Sequence, residues 1–139
     1  MSWIFWAFLS AIFAAATALL AKVGVSDIDS NLATAVRTSV VVLFTWAIAI
    51  GMNSHDWRSI THRSWIFLVL SGLATGLSWL CYFRALQLGP ASSVAPIDKL
   101  SVVFVALGAW AFLGERLTVG KVCGIGLIAA GAIVVAFAP

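Results

Sequence analysis

The chain has 139 residues, 63% of them hydrophobic and only 9% charged, with a formal net charge of +3. Soluble domains run about 45–50% apolar and about 25% charged, so a soluble enzyme, a nucleic-acid module and a disordered tail are all excluded. Basicity in so apolar a chain (mean hydropathy +1.09) points to lipid headgroups or an embedded charge cluster.

The first apolar run covers residues 3–21 and is ended by Lys22 and Gly24. No Lys or Arg precedes it, and it is longer than the apolar region of a signal peptide, which predicts an uncleaved first span. A turn over residues 25–30 follows, where Asp29 or Ser30 can cap the next helix. The second span covers about residues 32–51 and is interrupted only by Arg37. The longest polar loop, residues 53–63, leads to a third span over about 64–88 that carries Trp79, Tyr82 and Arg84. Gly89-Pro90 makes a tight turn. The fourth span, about 91–113, contains Pro96, Asp98 and Lys99. A second turn over residues 114–118 ends on Thr118, a natural cap for the fifth span at 119–137. Each run approaches the ~20 apolar residues that cross a bilayer. They are too long and too evenly apolar for barrel strands. The sequence predicts an all-α integral membrane protein, a single five-helix domain over residues 1–139.

Tryptophan gives an independent register. Alternating helix directions bring Trp3, Trp6, Trp46, Trp57, Trp65 and Trp110 to one face, where interfacial aromatics belong; Trp79 alone departs. Orientation is weakly encoded. That face carries Arg58, Arg63, Arg116 and Lys121 at helix ends, against Lys22 in a flank and Arg37, Arg84 and Lys99 inside spans. Flanks alone favour a cytoplasmic N-terminus. Small residues repeat at helical spacing: Gly72/Gly76, Gly120/Gly124 with Gly131, and Ser10/Ala14/Ala18, a pattern that permits close helix contact in lipid. Cys81 and Cys123 lie in apolar runs and read as small buried hydrophobes. His55 and His62 have no third ligand, so no metal site is expected. Neither a nucleophile–base pairing nor a phosphate-cradling loop is present, and no cofactor is expected.

The costly residues are the informative ones. Arg, Lys or Asp near a helix centre costs about 2.5–3.5 kcal/mol on insertion scales. Arg37, Arg84, Asp98 and Lys99 should therefore face the bundle interior or a wet cavity, although Arg37 and Lys99 are long enough to snorkel. Asp98, the only acid within a span, is expected to pair with Arg84 across the short hairpin. Arg37, from another helix at similar depth, is the better rival, since Lys99 points about 100° away on the same helix. Pro96 removes a helical hydrogen bond and crowds the carbonyl of Ser92, so a kink in the fourth span is expected ahead of a true break. Arg37, Arg84, Asp98, Lys99, Trp79, Tyr82 and Pro96 are the candidate pathway or substrate-binding residues.

The stretch Tyr82-Phe83-Arg84-Ala85-Leu86-Gln87-Leu88-Gly89-Pro90-Ala91, then Ala95-Pro96-Ile97-Asp98-Lys99-Leu100-Ser101, then Gly114-Glu115-Arg116-Leu117-Thr118 and a glycine-rich fifth span, closely resembles the EamA-type domain of the drug/metabolite transporter superfamily. Arg37 and Lys22 fit the same pattern. The resemblance implies one half of a ten-helix fold built from two inverted five-helix repeats. This chain has one copy, so the resemblance further implies a homodimer, with an antiparallel arrangement among the candidates, or pairing with another five-helix chain in a bacterial inner membrane.

The leading functional expectation is a secondary transporter or exporter of small polar metabolites, amino-acid-like or organic-acid-like, because the embedded cluster is basic. A non-transporting membrane subunit or scaffold is the alternative, with the charges acting as helix-pairing devices. An antiporter like the small multidrug resistance proteins is disfavoured because the first span contains no acid.

Overall fold

A computed structural model describes residues 2–53 and 60–138. His55, Trp57 and Arg58 lie outside the described residues. The elements are α1 (Trp3–Gly24), α2 (Ser30–Gly51), α3 (His62–Leu88), α4 (Ala91–Asp98), α5 (Ser101–Leu113) and α6 (Val119–Phe137), with no strand among the described residues. α4 and α5 together make one apolar segment, Ala91–Leu113, so the helices supply 5 segments long and apolar enough to cross a membrane. The chain is an all-α membrane protein, as its composition requires. At about 1.5 Å per residue, helices of 22 residues such as α1 and α2 match a hydrocarbon core about 30 Å thick.

Helix boundaries follow local chemistry. The Asp29 carboxylate accepts from the backbone N–H groups of Asn31 and Leu32, at 2.9 and 3.2 Å, and so starts α2. α3 begins before the expected Ser64, because the Thr61 hydroxyl accepts from the Ser64 N–H at 3.2 Å and satisfies one orphan donor. The Thr118 hydroxyl accepts from the Lys121 N–H and starts α6. α5 ends at Gly114, which adopts φ 68°, ψ 18°. The Glu115 N–H then reaches back to the Ala109 carbonyl at 3.1 Å, a closure that left-handed glycine makes cheaply.

The hydroxyls of α2 are absorbed by their own helix. Thr34, Thr38 and Ser39 donate to the carbonyls of Ser30, Thr34 and Ala35, and Thr45 donates to that of Val41. This back-bonding lets a span rich in Ser and Thr sit in hydrocarbon without unpaired polar groups.

The chain divides into two compact units. The first comprises residues 1–19 and 88–139, and within it α4 and α5 both pack against α6. The second comprises residues 20–87. Its buried residues include Val25, Ala33, Phe83 and Leu86, of which Val25 and Leu86 are fully enclosed.

Two expectations are corrected. A Cβ built at Gly72, Gly76, Gly120, Gly124 or Gly131 meets nothing within 4 Å, so these glycines do not mark close helix contacts within the chain. Cys81 and Cys123 are exposed, because both lie on the bare outer faces of their helices.

Candidate functional site

In the second unit the polar groups sort into two assemblies. The lower one joins the α1–α2 turn to the end of α3. Lys22 Nζ donates to the Leu86 carbonyl at 2.5 Å, one of the orphan acceptors at a helix C-terminus, where a cation also meets the negative end of the helix dipole. Gln87 Nε2 donates to the carbonyls of Ile28 at 2.7 Å and Val25 at 3.3 Å. Arg84 Nη1 donates to Gln87 Oε1 at 2.9 Å, which fixes the amide with its nitrogen toward the turn. Val25 and Leu86 close the contact with 0% exposure each. Lys22, Arg84 and Gln87 thus form a latch.

The upper assembly centres on Arg37 of α2. Its guanidinium carbon lies 4.1 Å from the centroid of the Trp79 ring and 5.6 Å from that of Phe83. Trp79 and Phe83 are four apart on α3 and so share one face. Phe83 is buried, while Arg37, Trp79 and Tyr82 are partly buried. A cation on an aromatic face gains about 0.5–2 kcal/mol.

In the first unit, Pro96 sits inside α4, which ends at Asp98. Around the interruption the hydrogen bonds tighten from i−4 to i−3 acceptors: Lys99 to Pro96, Leu100 to Ile97, Val102 to Lys99 and Val103 to Leu100, at 3.0–3.1 Å. Lys99 and Leu100 keep right-handed backbone angles (φ −71°, ψ −8° and φ −61°, ψ −16°). The fourth span is overwound locally and is not unwound, so the proline acts nearer to a kink than to a rupture.

Each of the two expected partners, Asp98 and Arg84, has a contact within its own unit. Asp98 Oδ2 meets Lys99 Nζ at 3.1 Å, while Arg84 is engaged by Gln87. The 100° separation of adjacent helical residues describes Cβ directions; the four-carbon lysine stem is long enough to turn back to its neighbour. The structure therefore brings Arg37 together with Trp79, and Asp98 with Lys99 beside Pro96. It commits Arg84 to the latch.

Gln87 and Phe83 were not singled out from the sequence. Phe83 was legible as the position four after Trp79. Gln87 gave no signal beyond being a polar residue in the last turn of an apolar helix.

Residues 1–137 match the EamA-like transporter family. A protein of Sinorhizobium sp. named "Uncharacterized transporter in cobO 3'region" is 54% identical over 136 residues, covering 97% of this chain and 96% of the relative. No solved structure gives a significant match. With its five membrane-spanning segments, its embedded charges and a family match along nearly its whole length, the chain belongs to the EamA-like transporter family.

Proposed function

We propose that the chain is one half of a secondary transporter for small polar metabolites, amino-acid-like or organic-acid-like, and that it works in a bacterial inner membrane as a dimer. The observation that carries this reading is the position of Arg37, held on Trp79 within a span. An arginine there costs about 2.5–3.5 kcal/mol on insertion, more than a cation–π contact returns, and intramembrane charge of this kind marks ligand pathways. Each chain contributes a single five-helix domain, and two together are the working unit. Pairing is supported by the apolar helix faces, with Phe112 89% and Phe137 81% exposed, and by small-residue positions on α3 and α6 that no neighbour fills. Proteoliposomes holding the purified chain, screened for uptake of labelled amino acids and organic acids, test the reading. Saturable flux of one compound class supports it.

The rival reading, a non-transporting subunit, draws support from Lys22 and Arg84, which serve backbone and amide partners. Absence of flux across the whole screen, together with a stable membrane partner in pull-downs, favours that alternative.

A further inference from the structure

Four basic residues lie in or beside the spans around the embedded cluster: Lys22, Arg37, Arg84 and Lys99. Lys22 is taken by the Leu86 carbonyl, Arg84 by Gln87 and Lys99 by Asp98. Arg37 lies against the Trp79 and Phe83 rings, with Tyr82 also in electrostatic contact, and makes no ion pair among the described residues of its own unit. A guanidinium whose carbon lies 4.1 Å from an indole centroid still has five N–H donors to satisfy, which a ring face does not do as a carboxylate does.

The chain supplies no acid for those donors among the described residues. Of its 5 acidic residues, Asp29 caps α2, Asp98 meets Lys99, Asp27 accepts from Ser26, and Glu115 belongs to the α5–α6 turn. Asp56 lies outside the described residues.

Depth excludes snorkelling. The start of α2 and the end of α3 meet at the same end of this unit, where Gln87 bonds the Ile28 carbonyl. From that end Arg37 lies about 10 Å along α2, and Trp79 about 14 Å along α3, at about 1.5 Å per residue. The guanidinium therefore leans inward, toward mid-membrane, where a soluble anion in a polar pathway reaches it and a lipid phosphate at the headgroup level does not.

We infer that Arg37, held on Trp79, is the oxyanion subsite of the pathway and takes the carboxylate of a small organic acid by bidentate hydrogen bonding. A carboxylate matches the guanidinium fork and supplies the charged acceptor that no described residue of this unit is seen to give Arg37. The inference rests on the transport reading above for its setting, but binding and flux fail separately.

The test is calorimetric binding of benzoate against benzamide, and of succinate against succinamide, to the purified full chain in detergent. At least one acid should bind about tenfold or more tighter than its amide, as expected for a charge-assisted bidentate contact. Arg37→Gln should remove that preference. Arg37→Lys should keep only part of it, since an ammonium cannot make the planar fork. Arg116→Gln, in the turn before α6, should leave it intact. Where Arg37→Gln does not fold, phenylglyoxal labelling of the wild-type chain, mapped by mass spectrometry, replaces it; the acid, and not the amide, should slow labelling of Arg37 relative to Arg63. No preference for either acid in the wild type overturns the inference. So does a preference that survives Arg37→Gln, or protection by acid and amide alike. Repeating the titration in nanodiscs separates soluble carboxylate from lipid phosphate: binding should be equal in phosphatidylcholine and in an uncharged, phosphate-free galactolipid, and loss in phosphatidylcholine alone assigns Arg37 to lipid phosphate and overturns the inference. Flux without Arg37-dependent selectivity refutes the subsite alone. Arg37-dependent binding with no flux refutes the transport reading alone.

Discussion

Gln87 does work that its position in the sequence conceals. Its amide nitrogen donates to two carbonyls of the α1–α2 turn, and its oxygen is held by Arg84. Removing it by Gln87→Ala strands the part-buried Val25 carbonyl, while water can reach the exposed Ile28 carbonyl, a loss of about 1 kcal/mol. Gln87→Glu should be no better, because a carboxylate has no N–H to offer the Val25 and Ile28 carbonyls. Unfolding of both variants in detergent checks this, and recovery of wild-type stability by Gln87→Glu would mean that the Arg84 contact, and not the turn, carries the energy. Lys22→Met should lower stability as well, since it leaves the Leu86 carbonyl at the end of α3 without its cation. At this scale the sequence shows costs more readily than partners. Arg37 and Asp98 were legible as embedded charges because hydrocarbon penalises them wherever they point. Their partners were not, since Lys99 reaches Asp98 through a flexible stem and Arg84 is claimed by an amide two turns of reasoning away from any charge rule.

The helices themselves were nearly all visible in the chain. Apolar runs of span length fix them whatever the tertiary contacts, and Asp29 and Thr118 cap where side-chain chemistry says they should. The departures are local: Thr61 extends α3 backward, and the hydrogen-bond register changes after Pro96. Gly114 is the element boundary most sensitive to substitution. Its φ of 68° costs a residue with a Cβ about 1–2 kcal/mol, so Gly114→Ala should destabilise the α5–α6 turn by that amount although its Cβ would meet no neighbour. Thr118→Ala, which removes the cap at the other end of the same turn, should cost about 1 kcal/mol. Thermal unfolding of each variant in one detergent measures both, and a neutral Gly114→Ala would show that the turn relaxes to another geometry. Pro96→Ala restores an N–H able to bond the Ser92 carbonyl. Amide exchange across residues 92–103 should slow in that variant, and unchanged exchange would place the origin of the interruption in the Asp98–Lys99 pair.

At the scale of the whole molecule, the proposed transport reading has to account for how a chain with five spanning segments would complete a pathway. An odd number of spans puts the two ends of the chain on opposite sides of the membrane, so a second copy inserted the other way round reverses every feature. The basic residues of the sequence scarcely oppose this: Arg63, Arg116 and Lys121 flank spans near the loops after the second and fourth, and Lys22 flanks the first, while Arg37, Arg84 and Lys99 lie inside spans. Orientation follows the placement of Lys and Arg in short loops and flanks, and a balance this close leaves both insertions accessible. For an antiparallel homodimer, a reporter fused after Pro139 should be found on both faces in comparable amounts. Adding a pair of lysines beyond Pro139 should draw that end to the cytoplasm, collapse the mixture to one orientation and lower transport, because each chain then lacks an inverted mate. Co-expression with a copy biased the other way, by lysines added before Trp3 to hold that end in the cytoplasm, should restore transport. A single fixed orientation with full activity excludes the antiparallel homodimer and requires a different five-helix chain as the second half.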